Sequence, residues 1–412
     1  MHQRSVGWTK RLRWPCRKQC GHLGLGMPCS RCLCGLVTGE VDPMPSQRDR
    51  LRVGAAVLGA VAVLTVVGRI TSPEEPVSQP RTTPATTWAP PLRSSLPERW
   101  VTQQLDVGHG GGPLMFGAGS LWVGAWRDRE VVRIDPRSNR VAARFPAGGP
   151  NPAGLAVDAA TIWVVHPDTD EVVRLDPRTG RVVVRIRLDP LPFEFAPGDR
   201  RFVPSLVAVG AGAGWVGTSR GAVARIDAAS NRVVAVIKLA RQGAEGIAVA
   251  GRIVWVAEGS HGLARIDAAT NRLLGTVRLD VLADRVAADG GTIWVGGRST
   301  DPSFEAAGAV ARIDAASGRV REIVPSGLPT GLAVGVGAVW ITERDAAGAA
   351  LECIAPDASP SAMTGLPALG ELAVGGGAIW AADRRGSLVY RLDPARFPCS
   401  AASVLTGPAA TP

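Results

Sequence analysis

Residues 101–412 are poor in the side chains that most enzyme chemistry uses. They hold three histidines, His109, His166 and His261, and two cysteines, Cys353 and Cys399. The histidines fall in three different repeats of the chain, which argues against a histidine-rich metal centre. No P-loop and no Rossmann glycine fingerprint occurs, so neither kind of phosphate cradle has sequence support. Aromatic residues make up 5% of the chain, with a single tyrosine. No segment beyond residue 100 sustains a helical periodicity. Abundant instead are glycine, at 50 residues, and proline, at 32, set among short apolar runs. With 46% hydrophobic and 20% charged residues, global disorder is excluded and an all-β chain full of turns is favoured.

The net charge of +10 is unevenly placed. Residues 1–100 carry 14 Lys/Arg against 6 Asp/Glu, and residues 101–412 carry 32 against 30. The basic excess therefore lies mostly outside the main domain, whose cations are dispersed. Nucleic-acid binding is disfavoured.

Residues 53–68, VGAAVLGAVAVLTVVG, form an uncharged run. As a helix they span about 24 Å, and Leu51 and Ile70 extend the stretch toward a hydrocarbon core of about 30 Å. Residues 1–52 hold 10 Lys/Arg against 3 Asp/Glu. The positive-inside rule then predicts a cytoplasmic N-terminus, a transmembrane signal anchor over 53–70 and export to the extracytoplasmic side of the plasma membrane. A cleaved signal peptide and a buried core helix are the alternatives. Five cysteines cluster in 16–34 near His22. They suit a reduced metal site, a disordered tail, or residues 1–43 that are not translated because synthesis starts at Met44. Residues 71–99 are rich in Pro, Ser and Thr and read as an extended spacer.

From residue 100 to 407 the chain repeats one unit. Trp122, Trp163, Trp215, Trp255, Trp294, Trp340 and Trp380 recur at spacings of 41, 52, 40, 39, 46 and 40 residues. Each unit offers four short strand-like runs, which predicts an all-β seven-bladed β-propeller of four-stranded blades. WVTQQLDVG (100–108) reads as an outer strand without inner partners, and the outer run of the last unit is degenerate. The N-terminal strand is therefore expected to complete the last blade and cover its edge.

The turns IDPRSNR (134–140), LDPRTGR (175–181), IDAASNR (226–232), IDAATNR (266–272) and IDAASGR (313–319) place Asn or Gly four residues after Asp. That position calls for φ > 0, and the Asp accepts backbone N–H bonds. A calcium loop needs several carboxylates per turn, and each turn has one. The repeated Trp reads as packing between blades, with a ligand cage as the alternative.

Polar residues that differ from blade to blade collect on one face. Three residues after each Trp stand Ala125, His166, Thr218, Glu258, Gly297, Glu343 and Asp383. Nearby loops carry Arg220, His261, Arg298 and Arg344, and Ser205, Glu245, Asp284, Arg285 and Thr330 lie near the channel mouth. Repetition marks structure in this fold, so these non-repeating residues are the candidate ligand-binding face. Cys353 and Cys399 can form a disulfide tying the last two blades if the domain is exported.

With G-x-[IL]-W-V followed by R-[IL]-D-P-x-[TS]-[NG]-R-V, residues 100–407 resemble the bacterial YVTN-type and virginiamycin B lyase-like propellers. The W-V-A-E of Trp255–Glu258 and the W-I-T-E of Trp340–Glu343 are similar to the lyase repeat W-F-T-E. The resemblance implies two readings. The leading one is a monomeric sensor or scaffold that binds a protein or small-molecule ligand. The other is a metal-assisted lyase or lactonase acting on a cyclic ester. It would use Glu258 and His261 as catalytic residues and hold magnesium through Glu245 and Glu258.

Overall fold

The computed structural model describes residues 94–95, 100–188, 203–219, 221–239, 243–259, 262–303, 308–345, 348–355, 361–366, 369–383, 387–397 and 399. They form a seven-bladed β-propeller. Six sheets are built from consecutive antiparallel strands, and their blades span 111–146, 154–187, 204–238, 246–277, 281–326 and 328–366. The seventh blade takes its three inner strands from 369–392 and its outer strand from Val101–Asp106, paired to Leu388–Leu392. The N-terminal strand thus closes the ring as the repeat phase requires.

One short segment departs from the spacer expected over 71–99. Ser94–Ser95 pairs in parallel with Met363 and Thr364 on the outer edge of blade 6, adding a fifth strand there. The 53–70 anchor and the 16–34 cysteines lie outside the described residues. Among the described residues, no helix is long and apolar enough to cross a membrane.

The core is a circle of seven seams. Trp122 packs with Leu155, Ile162 and Val164 of the next blade. Trp163, Trp215, Trp255, Trp294 and Trp340 each repeat this against their own next blade. Trp380 of blade 7 packs with Leu121, Val123 and Ile134 of blade 1, which completes the circle. All seven indoles are at most 4% exposed. Strand alternation produces this arrangement, because the even face of each second strand meets one neighbour and the odd face the other.

The five turns behave as the sequence predicts. Asn139, Gly180, Asn231, Asn271 and Gly318 have φ between +54° and +73°. Asp135, Asp176, Asp227, Asp267 and Asp314 accept backbone N–H bonds within their turns. These bonds, with the Ser230 hydroxyl leading at Asp227 and Arg321 leading at Asp314, hold the Asp carboxyls below their usual range, to about 2 at Asp267.

A second repeated element was present in the sequence without an assigned role. The Arg of the R-[IL]-D run pairs across the strand with the blade's own Trp and lies over its ring, as at Trp163–Arg174, Trp215–Arg225 and Trp255–Arg265. Its guanidinium then crosses the seam. Arg174 donates to Ala228 O (2.7 Å) and to Asn231 Oδ1 of blade 3, and Arg225 donates to Asn271 Oδ1 of blade 4 (2.9 Å). Arg265 leans over Gly318 of blade 5, where a Cβ would come within 2.8 Å of its guanidinium. In blade 6 the residue opposite Trp340 is Cys353. Cys353 is joined by a disulfide to Cys399, with Cα atoms 6.0 Å apart.

Candidate functional site

The innermost strands of all seven blades surround one cavity of about 660 Å³ at the end of the channel. Its polar lining includes Glu245, Asp284, Arg285, Thr330, Glu371 and Asp383. Backbone irregularity puts several of these side chains there. The register of the inner strands slips at Pro204/Leu206, Ala283/Arg285, Pro329/Gly331 and Leu369/Leu372. The residues passed over include Ser205, Asp284, Thr330 and Glu371. A bulge of this kind re-aims a side chain that a regular strand would pack against its neighbour.

The cavity is acidic, with four carboxyl side chains against the one guanidinium of Arg285. Arg285 is already engaged: it donates to Thr330 O of blade 6 (3.3 and 3.2 Å) and to Asp284 O (3.1 Å). Burial pushes the Asp284 carboxyl above its ordinary range, Arg285 opposes the shift, and the charge of Glu245 adds to it. Asp284 Oδ1 is buried and has no hydrogen-bond partner among the described residues.

The series three residues after each Trp is buried, in contrast to the exposed loop positions that its polarity suggested. His166 is fully buried, with Nδ1 2.6 Å from Pro150 O and Nε2 3.0 Å from Ala147 O. Burial holds its ring below the usual histidine value, against the pull of those two carbonyls. The Thr218 hydroxyl donates to Ala222 O (3.1 Å). The Glu258 carboxylate accepts from the Thr276 hydroxyl (3.0 Å) on the outer strand of its own blade. Glu343 accepts from Gly327 N–H. These residues tie the ends of the second strands to neighbouring backbone or, at Glu258, to the Thr276 hydroxyl. A polar pattern alone does not distinguish such a closure from an exposed site.

The structure therefore brings Glu245, Asp284, Arg285 and Asp383 to one cavity. It places His166, Glu258 and Glu343 in bonds within or between blades. Arg298 and Arg344 are exposed at the ends of their strands. His261 and Arg220 lie outside the described residues. Magnesium demands near-octahedral oxygen ligation. Among the described residues no group of three or more His, Cys, Asp or Glu is placed to hold a metal ion, so Glu245 and Glu258 do not by themselves fit that ion.

GTSRG (217–221) has the nucleophile-elbow spacing Gly-x-Ser-x-Gly. Gly217 and Thr218 end the strand Ala213–Thr218, and Gly221 precedes its antiparallel partner Ala222–Asp227. The elbow mechanism needs a strand-to-helix turn, so this string lacks its structural context.

No family model and no curated protein sequence matches the chain. Solved structures do. A chain of Kuenenia stuttgartiensis hydrazine synthase is 16% identical, with a TM-score of 0.55 over 70% of this chain and 97% of that one. A chain of the mitotic checkpoint complex is 14% identical, with a TM-score of 0.57 over 76% and 99%. The Pan2 WD40 domain of Neurospora crassa is 12% identical, with a TM-score of 0.56 over 73% and 97%. The likeness is one of fold. Each of these chains is matched along nearly its whole length.

Proposed function

We propose that this chain is an extracytoplasmic propeller, anchored by its N-terminal segment, that binds a ligand or protein partner at the channel mouth. The observation that carries this reading is the cavity: seven blades of one repeated pattern converge there on side chains that do not repeat. Its excess of carboxylates favours an occupant bearing positive charge, such as an amine, a guanidinium or a basic peptide end. The Cys353–Cys399 disulfide supports export, because such bonds persist in oxidising compartments. The neighbours from protein assemblies show only that this fold serves in such settings. The YVTN-like repeat pattern suits a sensor or scaffold role.

The lyase-like reading ranks second. It rests on the W-V-A-E and W-I-T-E strings, yet Glu258 and Glu343 each hold a structural hydrogen-bond donor. Calorimetric titration of the protein with cationic small molecules tests the proposal. Binding is expected for the wild type and at least a tenfold loss for Glu245→Gln/Asp284→Asn. Turnover of a cyclic ester that is abolished by His261→Ala and by chelation would replace the binding reading with the enzymatic one.

A further inference from the structure

The cavity at the channel mouth has two unlike sides. Its carboxyl side chains, Glu245, Asp284, Glu371 and Asp383, and the Arg285 guanidinium come from blades 4 to 7 or, at Glu245, from the residue leading into blade 4. Among the described residues, blades 1 to 3 and the connection from blade 1 to blade 2 add no charged side chain to the lining. They present Pro113, Met115, Trp126, Pro152 and Leu206. Apolar side chains occur on both sides, but the charges occur on one alone.

Trp126 marks the uncharged side. It is 43% exposed, whereas every other indole among the described residues is at most 5% exposed. It stands four residues after Trp122, where the other blades have Pro167, Ser219, Gly259, Arg298, Arg344 and Arg384. Its position is fixed: the backbone N–H of Trp126 donates to Gly110 O (3.0 Å), and a Cβ on Gly110 would come within 2.6 Å of the indole Nε1. Gly110 has φ +84°, so glycine suits both the conformation and the close approach. An indole held in the open beside apolar side chains leaves a wet apolar surface that an occupant can cover. The Arg127 guanidinium lies over the ring, 4.9 Å from its centroid. It places positive charge beside Trp126, which directs a cationic head to the carboxylate side.

We infer that the cavity takes a small amphiphilic organic cation, with an ammonium or guanidinium head toward Glu245 and Asp284 and an apolar body against Trp126. That ligand class rests on the reading of the cavity as a binding site and adds what the uncharged part of the ligand is. The volume of about 660 Å³ lies within the range of about 300–1,000 Å³ usual for small-molecule sites. Asp284 Oδ1, buried and without a hydrogen-bond partner among the described residues, is an acceptor that a charged N–H can satisfy. Trp126 offers a flat surface whose contact with an apolar ring contributes more than the buried area alone. A small hydrophilic amine would leave that surface wet, and an apolar anion would meet the carboxylates.

Calorimetric titration of the full chain with phenylbutylammonium and with ethylammonium tests this, because the two carry the same charge and differ in body. The wild type should bind phenylbutylammonium at least about tenfold more tightly. Trp126→Ala, a change at an exposed position outside the core, should cut that preference by about fivefold and leave ethylammonium affinity unchanged. Trp126→Phe, which keeps an aromatic ring, should retain most of it. Glu245→Gln/Asp284→Asn should weaken both cations by a similar factor, so that affinity falls while the preference survives. Equal affinities in the wild type, or a preference that Trp126→Ala leaves intact, would overturn the amphiphilic ligand and leave the cavity standing as a cation site. Binding of neither cation would overturn both.

Discussion

Blade 6 and the other six blades solve the same packing problem with different chemistry. In six blades a Trp faces an Arg across the second and third strands, and the guanidinium lies over the ring. Blades 2 and 3 show what this achieves, since Arg174 and Arg225 reach the next blade's turn. Blade 6 keeps Trp340 but replaces the Arg with Cys353, bonded to Cys399 beyond the third strand of blade 7. Its neighbouring position holds the buried Glu352. Blade 7 takes its outer strand from the other end of the chain, so its seam with blade 6 lacks a turn of the repeated type to receive an Arg. A covalent link replaces the polar one at the place where the ring closes.

The largest effect should come from that link. Replacing Cys353 and Cys399 by serine opens a 46-residue loop and should lower stability by about 4 kcal/mol on chain-entropy grounds. Denaturant unfolding with and without reductant measures it, and a wild type indifferent to reductant would break the comparison. Arg174→Ala comes next, at about 2–3 kcal/mol, because the guanidinium is buried, stacked on Trp163 and hydrogen-bonded across the seam. The same change at the half-exposed Arg312 should have roughly half that effect.

A third experiment uses pH at His166. His166 is buried with its ring held below the usual value, so its contribution is present above the ordinary histidine range and is lost as pH falls. Thermal melts at pH 4 to 7 should show a loss of at most about 1.4 kcal/mol per pH unit that His166→Gln removes. The smallest effect is expected at Asn231→Gly. Glycine keeps the positive φ but removes the acceptor for Arg174, which should amount to about 1 kcal/mol.

The fold was legible because every seam repeats. Seven Trp at near-constant spacing gave the blade count, the Asp-to-Asn/Gly interval gave the turn conformation, and the orphan strand at 100–108 gave the closure. The cavity lining was legible only in part. Glu245, Asp284 and Arg285, which line it, break the repeat at or near the start of an inner strand. His166, Glu258 and Glu343 break it equally, yet they are buried and bonded. Non-repetition shows that a position is particular to one blade, and burial decides whether it faces a cavity or a seam. The Arg of the R-[IL]-D run went unassigned because its partners lie in the next blade, at sequence separations of 46 and 57 residues. Its absence from L-E-C-I (351–354) was nonetheless the sequence signal that blade 6 differs.

The acidic channel mouth is the proposed binding site. A thermal-shift screen of matched cationic and anionic small molecules, run on the wild type and on Glu245→Gln/Asp284→Asn, tests it most directly. Stabilising ligands should be concentrated among the cations, with their shifts lost in the double variant. Shifts spread equally over both charge classes, or cationic shifts that persist in the variant, would contradict it.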